Sequence, residues 1–80
     1  MSVRRLANGD VELSGDCPSG EAEVLRAMLA ETPEAAVDWR GCQSAHTAVV
    51  QVLMAHGGPR IGPPGGIFLR RMVEPAINRG

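Results

Sequence analysis

Ala35 to His56 reads AAVDWRGCQSAHTAVVQVLMAH, and the interpretation of this stretch decides the fold. A short apolar run, Ala35-Ala36-Val37, leads into Asp38 and Trp39. Arg40-Gly41-Cys42-Gln43-Ser44 then forms a polar interruption, and Ala45 to Ala55 runs almost wholly apolar. A buried strand, a tight turn and a buried helix account for that pattern. Gly41 suits the turn, because without a Cβ it takes backbone angles closed to other residues. Ser44, His46 and Thr47 are each placed to cap the helix with a side-chain acceptor. Beyond Thr47 only Gln51 is polar, so nearly every face of the helix calls for cover. Ala45, Val49, Val52 and Leu53 are expected to face a sheet, leaving Val50 and Met54 turned away. Asp38, an acid inside the strand, is expected to bond to a neighbouring loop or helix N-terminus.

Working outward, Val3 to Leu6 and Val11 to Leu13 are short candidate strands flanking Asn8-Gly9-Asp10, and Asn-Gly is the strongest short hairpin signal. Gly15 to Gly20 breaks the chain, with Pro18 ending any strand. Ser19 is a candidate cap for a helix that carries Glu21 and Glu23 in its first turn. Ala22, Leu25, Met28 and Leu29 form its apolar stripe, Glu23, Arg26 and Glu31 face away, and Pro33 stops it near Thr32. After the central unit, Gly57-Gly58-Pro59 ends the second helix, and Arg60-Ile61 reads as a very short edge strand. Gly62-Pro63-Pro64-Gly65-Gly66 is a rigid loop. Ile67 to Val73 reads as a short helix with Phe68, Leu69 and Met72 inward and Arg70 and Arg71 outward. Pro75 interrupts it, and Asn78 to Gly80 is expected to fray.

The central stretch resembles the STAS domain, the fold of bacterial anti-sigma factor antagonists and of the cytoplasmic tails of sulfate transporters. That family has a strand reading roughly Leu-Asp-Leu-Ser-Gly-Val, then Asp-Ser-Ser-Gly or Asp-Thr-Ala-Gly, then an apolar helix. Val37-Asp38-Trp39-Arg40-Gly41-Cys42 fits the strand without gaps, His46-Thr47-Ala48-Val49 falls at the second motif, and Gln51-Val52-Leu53-Met54-Ala55 continues the helix. The resemblance implies a compact α/β domain spanning residues 1–80, with about four short strands in a mixed sheet and two to three helices packed on it. It also implies a protein-binding module in bacterial signalling rather than an enzyme, with an anti-sigma factor, a kinase or a chemotaxis component as partner. In phosphorylatable members the switch is the second Ser of Asp-Ser-Ser-Gly; Ala48 stands there, so the switch is expected to be missing. His46 replaces the family Asp, Val49 the family Gly, and Thr47 is kept in kind. The partner surface this points to is Ser44, His46, Thr47, Ala48 and Val50, with the nearby loop at Asp16 and Cys17.

Composition sets the remaining bounds. Eighty residues make one domain, and one Trp, one Phe and no Tyr leave the core to Val, Leu, Ile, Met and Ala. A net charge of −1 argues against nucleic acid or an anionic membrane as default partner. All eight basic residues are Arg, which we read as GC-rich coding and bacterial origin. No stretch reaches the roughly 18 apolar residues of a membrane span. Met1 to Leu6 lacks the apolar segment of a secretory signal, so a cytoplasmic location is expected, where Cys17 and Cys42 stay reduced. The prolines of residues 62–66 exclude a phosphate loop, and no Ser, His and acid fall in a nucleophile pattern. No cofactor is implied. Two rival readings remain: a thiol or zinc site built from Cys17, Cys42 and His46, or a structural subunit whose apolar helix is buried in a permanent complex or homodimer.

Overall fold

The computed structural model describes residues 2–56, 58–67, 69–73 and 75, with Met72 described by its backbone alone. The inward placement expected of Phe68 and of the Met72 side chain, and the fraying expected at the C-terminus, lie outside the described residues. The chain begins with a hairpin. Strand β1 (Val3–Arg5) runs antiparallel to β2 (Val11–Cys17), with Val3 opposite Leu13 and Arg5 opposite Val11. The Leu6 N–H donates to the Asp10 carbonyl at 2.7 Å and the Gly9 N–H to the Leu6 carbonyl at 3.0 Å. Gly9 takes φ +94°, and Asn8 Oδ1 accepts from the Asp10 N–H at 3.0 Å. The Asn-Gly signal therefore marks a real turn, longer than a two-residue hairpin.

Two strands run further than their residue types suggest. β2 continues past Leu13 to Cys17 rather than breaking at Gly15, and β3 spans Val37–Ala45 with no turn at Gly41. The reason is mutual: the two pair in parallel from Val11 opposite Val37 to Cys17 opposite Ala45. The register shifts between Glu12 and Ser14 and again between Gly15 and Asp16, where Gly15 takes φ +63°. Hydrogen bonding to a neighbour outweighs the poor strand propensity of Gly, Asp and Ser, and the bulges absorb the misfit. Gly41 lies opposite Ser14, and a Cβ added to it would meet only ordinary contacts at 3.6 Å. It is a strand residue.

Helix α1 (Gly20–Glu31) joins β2 to β3 and buries Leu25 and Leu29, while Glu23, Arg26 and Glu31 stay exposed. Ser19 sits at the N-cap position but makes no side-chain cap bond. Glu21 instead accepts from the Ser2 N–H at 3.0 Å and the Ser2 hydroxyl at 2.8 Å, tying the helix start to β1. At the other end Arg5 donates to the Met28 carbonyl at 3.1 Å and to the Thr32 hydroxyl at 2.6 Å, a cation at the negative pole of the helix. Helix α2 (Thr47–Ala55) leads to β4 (Arg60–Ile61), which pairs in parallel with Val37 and Asp38. A π-helical segment, Leu69–Val73, closes the described chain.

The sheet order is β1-β2-β3-β4, so both crossovers step the same way and α1 and α2 lie against one face, touching each other. Between sheet and helices sits the core: Val3, Val11, Leu13, Val37 and Trp39 from the strands, Leu25, Leu29, Val49 and Leu53 from the helices, and Leu69 from the π-helical segment. The opposite sheet face carries the cross-strand row Arg4, Glu12 and Asp38, with Arg4 bonded to Glu12 at 2.6 Å. The loop at residues 62–66 covers the free side of β3. There the Gly66 N–H donates to the Cys42 carbonyl at 3.0 Å, and a Cβ on Gly66 would collide with the Gln43 carbonyl. One expectation for α2 needs correction. Met54 is exposed, but Val50 is half-buried and packs on the core.

Candidate functional site

Strands β2 and β3 end side by side, and α2 starts at that same edge. Asp16 lies opposite Ser44, and the Ser44 hydroxyl donates to Asp16 Oδ1 at 2.7 Å. The His46 N–H then donates to the Cys17 carbonyl at 2.8 Å, extending the parallel ladder to the helix start. His46 is the N-cap: it is extended, at φ −62° and ψ 151°, and its Nδ1 accepts from the Ala48 N–H at 3.0 Å. Of the three candidate caps, only His46 serves. Ser44 is turned to Asp16, and Thr47 is the first helical residue. A neutral imidazole accepting at Nδ1 carries its proton at Nε2, which points away from the helix bond.

Asp16, Ser44, His46 and Thr47 are thereby gathered, exposed, at the C-terminal edge of a parallel strand pair. Ala48 and Val50 are half-buried behind them. Cys17 does not belong to this surface. It is 1% exposed, because its side chain points into the core, so it offers a partner nothing beyond its backbone.

Cys17 meets Cys42 instead. Their sulfurs lie 3.8 Å apart, both thiols are free, and Cys42 is wholly buried, with Sγ 3.4 Å from the Ser44 carbonyl that accepts from it. Contact with Cys42 favours the ionised form of Cys17 against the opposing effect of burial, and contact with Cys17 together with burial pushes Cys42 up. His46 does not join the thiols, since its ring is exposed and its Nδ1 is engaged by α2. Among the described residues, no three His, Cys, Asp or Glu side chains gather in a metal-binding group.

Asp38 corrects another expectation. It bonds neither a loop nor a helix end but Arg40, two residues on and on the same strand face. Arg40 donates from Nε to Oδ1 at 3.0 Å, from Nη2 to Oδ2 at 2.8 Å and from its backbone N–H to Oδ1 at 3.1 Å. Those bonds hold the Asp38 carboxyl below the usual carboxylate range despite its burial. His56, at the C-terminal end of α2, places Nε2 2.8 Å from the Ala35 carbonyl. Arg60 takes the dipole role, with Nη1 3.4 Å from the carbonyls of Leu53 and His56.

One feature escaped the sequence reading altogether. An open groove of about 300 Å³ runs between the helices, lined by Leu29, Ala30 and Pro33 from the α1 side and Val52, Ala55 and His56 from the α2 side. No periodicity within either helix reports it, because its two walls come from different helices. Among the described residues no helix is long and apolar enough to cross a membrane.

The class that this fold and edge define is an α/β domain in which a hairpin feeds two parallel crossovers. Beyond that class, no family model, no curated protein and no solved structure matches the chain.

Proposed function

We propose that the protein is a small protein-binding module of the STAS kind, acting in bacterial signalling in the cytoplasm without catalysis of its own. The observation that carries this reading is the exposed group Asp16, Ser44, His46 and Thr47 at the C-terminal edge of β2 and β3, beside the start of α2. Connections held by a rigid sheet are where binding side chains concentrate, and here the ends of two parallel strands and the start of a helix bring theirs to one exposed edge. The order of hairpin, helix, parallel strand and helix also agrees with what the resemblance of residues 37–55 implies. The partner class is an anti-sigma factor, its kinase or a chemotaxis component.

Binding in this reading is not switched by phosphate. Ala48 offers no hydroxyl at the position of the family's serine, and its N–H, which a phosphate at a helix N-terminus would use, is already engaged by His46. Calorimetric titration against an anti-sigma kinase from the same genome tests the assignment. Thr47→Arg, at an exposed first-turn position, should weaken that complex by about tenfold or more while leaving the circular dichroism spectrum unchanged. Unchanged affinity in Thr47→Arg, or stoichiometric phosphate on Thr47 or Ser44 after incubation with the kinase and ATP, would remove the assignment.

A further inference from the structure

We propose that Cys17 and Cys42 form a dithiol that hydroperoxides oxidise to an intramolecular disulfide beneath the α2 edge. The geometry is already close. A disulfide needs its sulfurs at about 2.05 Å, and the two stand at 3.8 Å on neighbouring parallel strands with no side chain between them. Rotation about the Cα–Cβ bonds and a small shift of one strand close the gap.

β2 is built to allow that shift. The ladder is irregular between Gly15 and Asp16, directly before Cys17, and Gly15 sits in the left-handed region at φ +63°. Gly15 and Asp16 are both exposed, so the segment covering Cys17 is a bulged strand end rather than a packed layer. A hydroperoxide such as hydrogen peroxide is small enough to reach the sulfur when that end opens.

The two thiols are unequally placed. Cys42 is wholly buried and donates to the Ser44 carbonyl at 3.4 Å, while Cys17 directly follows the exposed, bulged pair Gly15 and Asp16. Cys17 is therefore the attacking sulfur, the one a peroxide reaches first, and Cys42 the resolving one. The Cys17 thiolate attacks one peroxide oxygen, the O–O bond breaks, and hydroxide leaves, giving a sulfenic acid. The Cys42 sulfur then attacks Cys17, the S–S bond forms, the S–O bond breaks, and water departs with the Cys42 proton. Two thiols and one peroxide thus yield one disulfide and two waters.

This inference does not depend on the docking assignment. The test treats the native full chain with equimolar hydrogen peroxide, alkylates under denaturing conditions and records the intact mass. The expected product is a monomer that has lost two hydrogens, takes up no alkylating agent and regains both thiols with dithiothreitol. In Cys42→Ala, where no second thiol can resolve it, the sulfenic acid on Cys17 should persist for dimedone to trap, and neither Cys42→Ala nor Cys17→Ala should form the monomeric disulfide. Two alkylatable thiols after excess peroxide, a disulfide-linked dimer, or the same loss of two hydrogens in either single variant would overturn it. The wild-type result stands even where a variant fails to fold.

Discussion

The two halves of β3 behave as if they belonged to different kinds of strand. From Val37 to Trp39 every residue is buried, and the segment is hydrogen-bonded to β2 on one side and to β4 on the other at Val37 and Asp38. From Arg40 to Ala45 the burial is patchy, the register slips, and Arg40, Gly41, Gln43 and Ser44 are exposed. The first half anchors the core, and the second half carries a polar edge. The difference teaches that the same strand can be wholly buried where two strands flank it and permissive of polar, exposed side chains where a loop takes the second side.

Breaking the anchored half should have the largest effect. Trp39 is 1% exposed and is the largest fully buried side chain, so Trp39→Ala should cost about 3–5 kcal/mol. A domain of this size has roughly 4–12 kcal/mol of stability in all. Thermal unfolding followed by circular dichroism should show a lost or strongly lowered transition, and a midpoint near that of the parent would show the core to be wrongly drawn.

Two glycines sharpen the comparison. Gly66 lies against Gln43, and Gly66→Ala should cost roughly 1–3 kcal/mol because the new Cβ meets backbone that cannot rotate away. Gly41→Ala, in the permissive half, should stay within about 0.5 kcal/mol of the parent. Urea titration of the pair reads the contrast directly, and equal losses would restore Gly41 to a turn.

A smaller effect is expected at the edge itself. Ser44→Ala removes an exposed bond to Asp16 and should cost about 0.5–1 kcal/mol in chemical denaturation. A loss comparable to that of Trp39→Ala would mean the edge, too, is structural.

The smallest change concerns pH. Because Arg40 holds Asp38 below its ordinary value, the ionised carboxylate stabilises the fold above the unfolded-state value of about 3.9. That contribution disappears as pH falls through the lowered folded value. Arg40→Gln should raise the Asp38 value, since only the backbone N–H of residue 40 then opposes burial, and should reduce the loss of stability from Asp38 protonation in acid. Carboxyl chemical shifts across the acid range measure it; an unmoved Asp38 titration would discount the pair.

Residue pattern alone determined the element types and their order. The apolar stripe of α1, the apolar density of α2, the Asn-Gly turn and the Arg60-Ile61 strand were all readable, because each is a local matter of periodicity or backbone preference. The edge at Ser44, His46 and Thr47 was readable in the same way, as the chain entering a helix. Tertiary structure decided how far β2 and β3 run. Gly, Asp and Ser become strand residues only when a second strand supplies the missing hydrogen bonds, and that partner is more than twenty residues distant in sequence. The same distance hid the burial of Val50 and the groove between the helices; the meeting of Cys17 with Cys42 was legible only as a rival reading, which the pairing of β2 with β3 decided for the thiols and against His46. Each depends on which surfaces come to face one another, and no stretch of chain carries that information by itself.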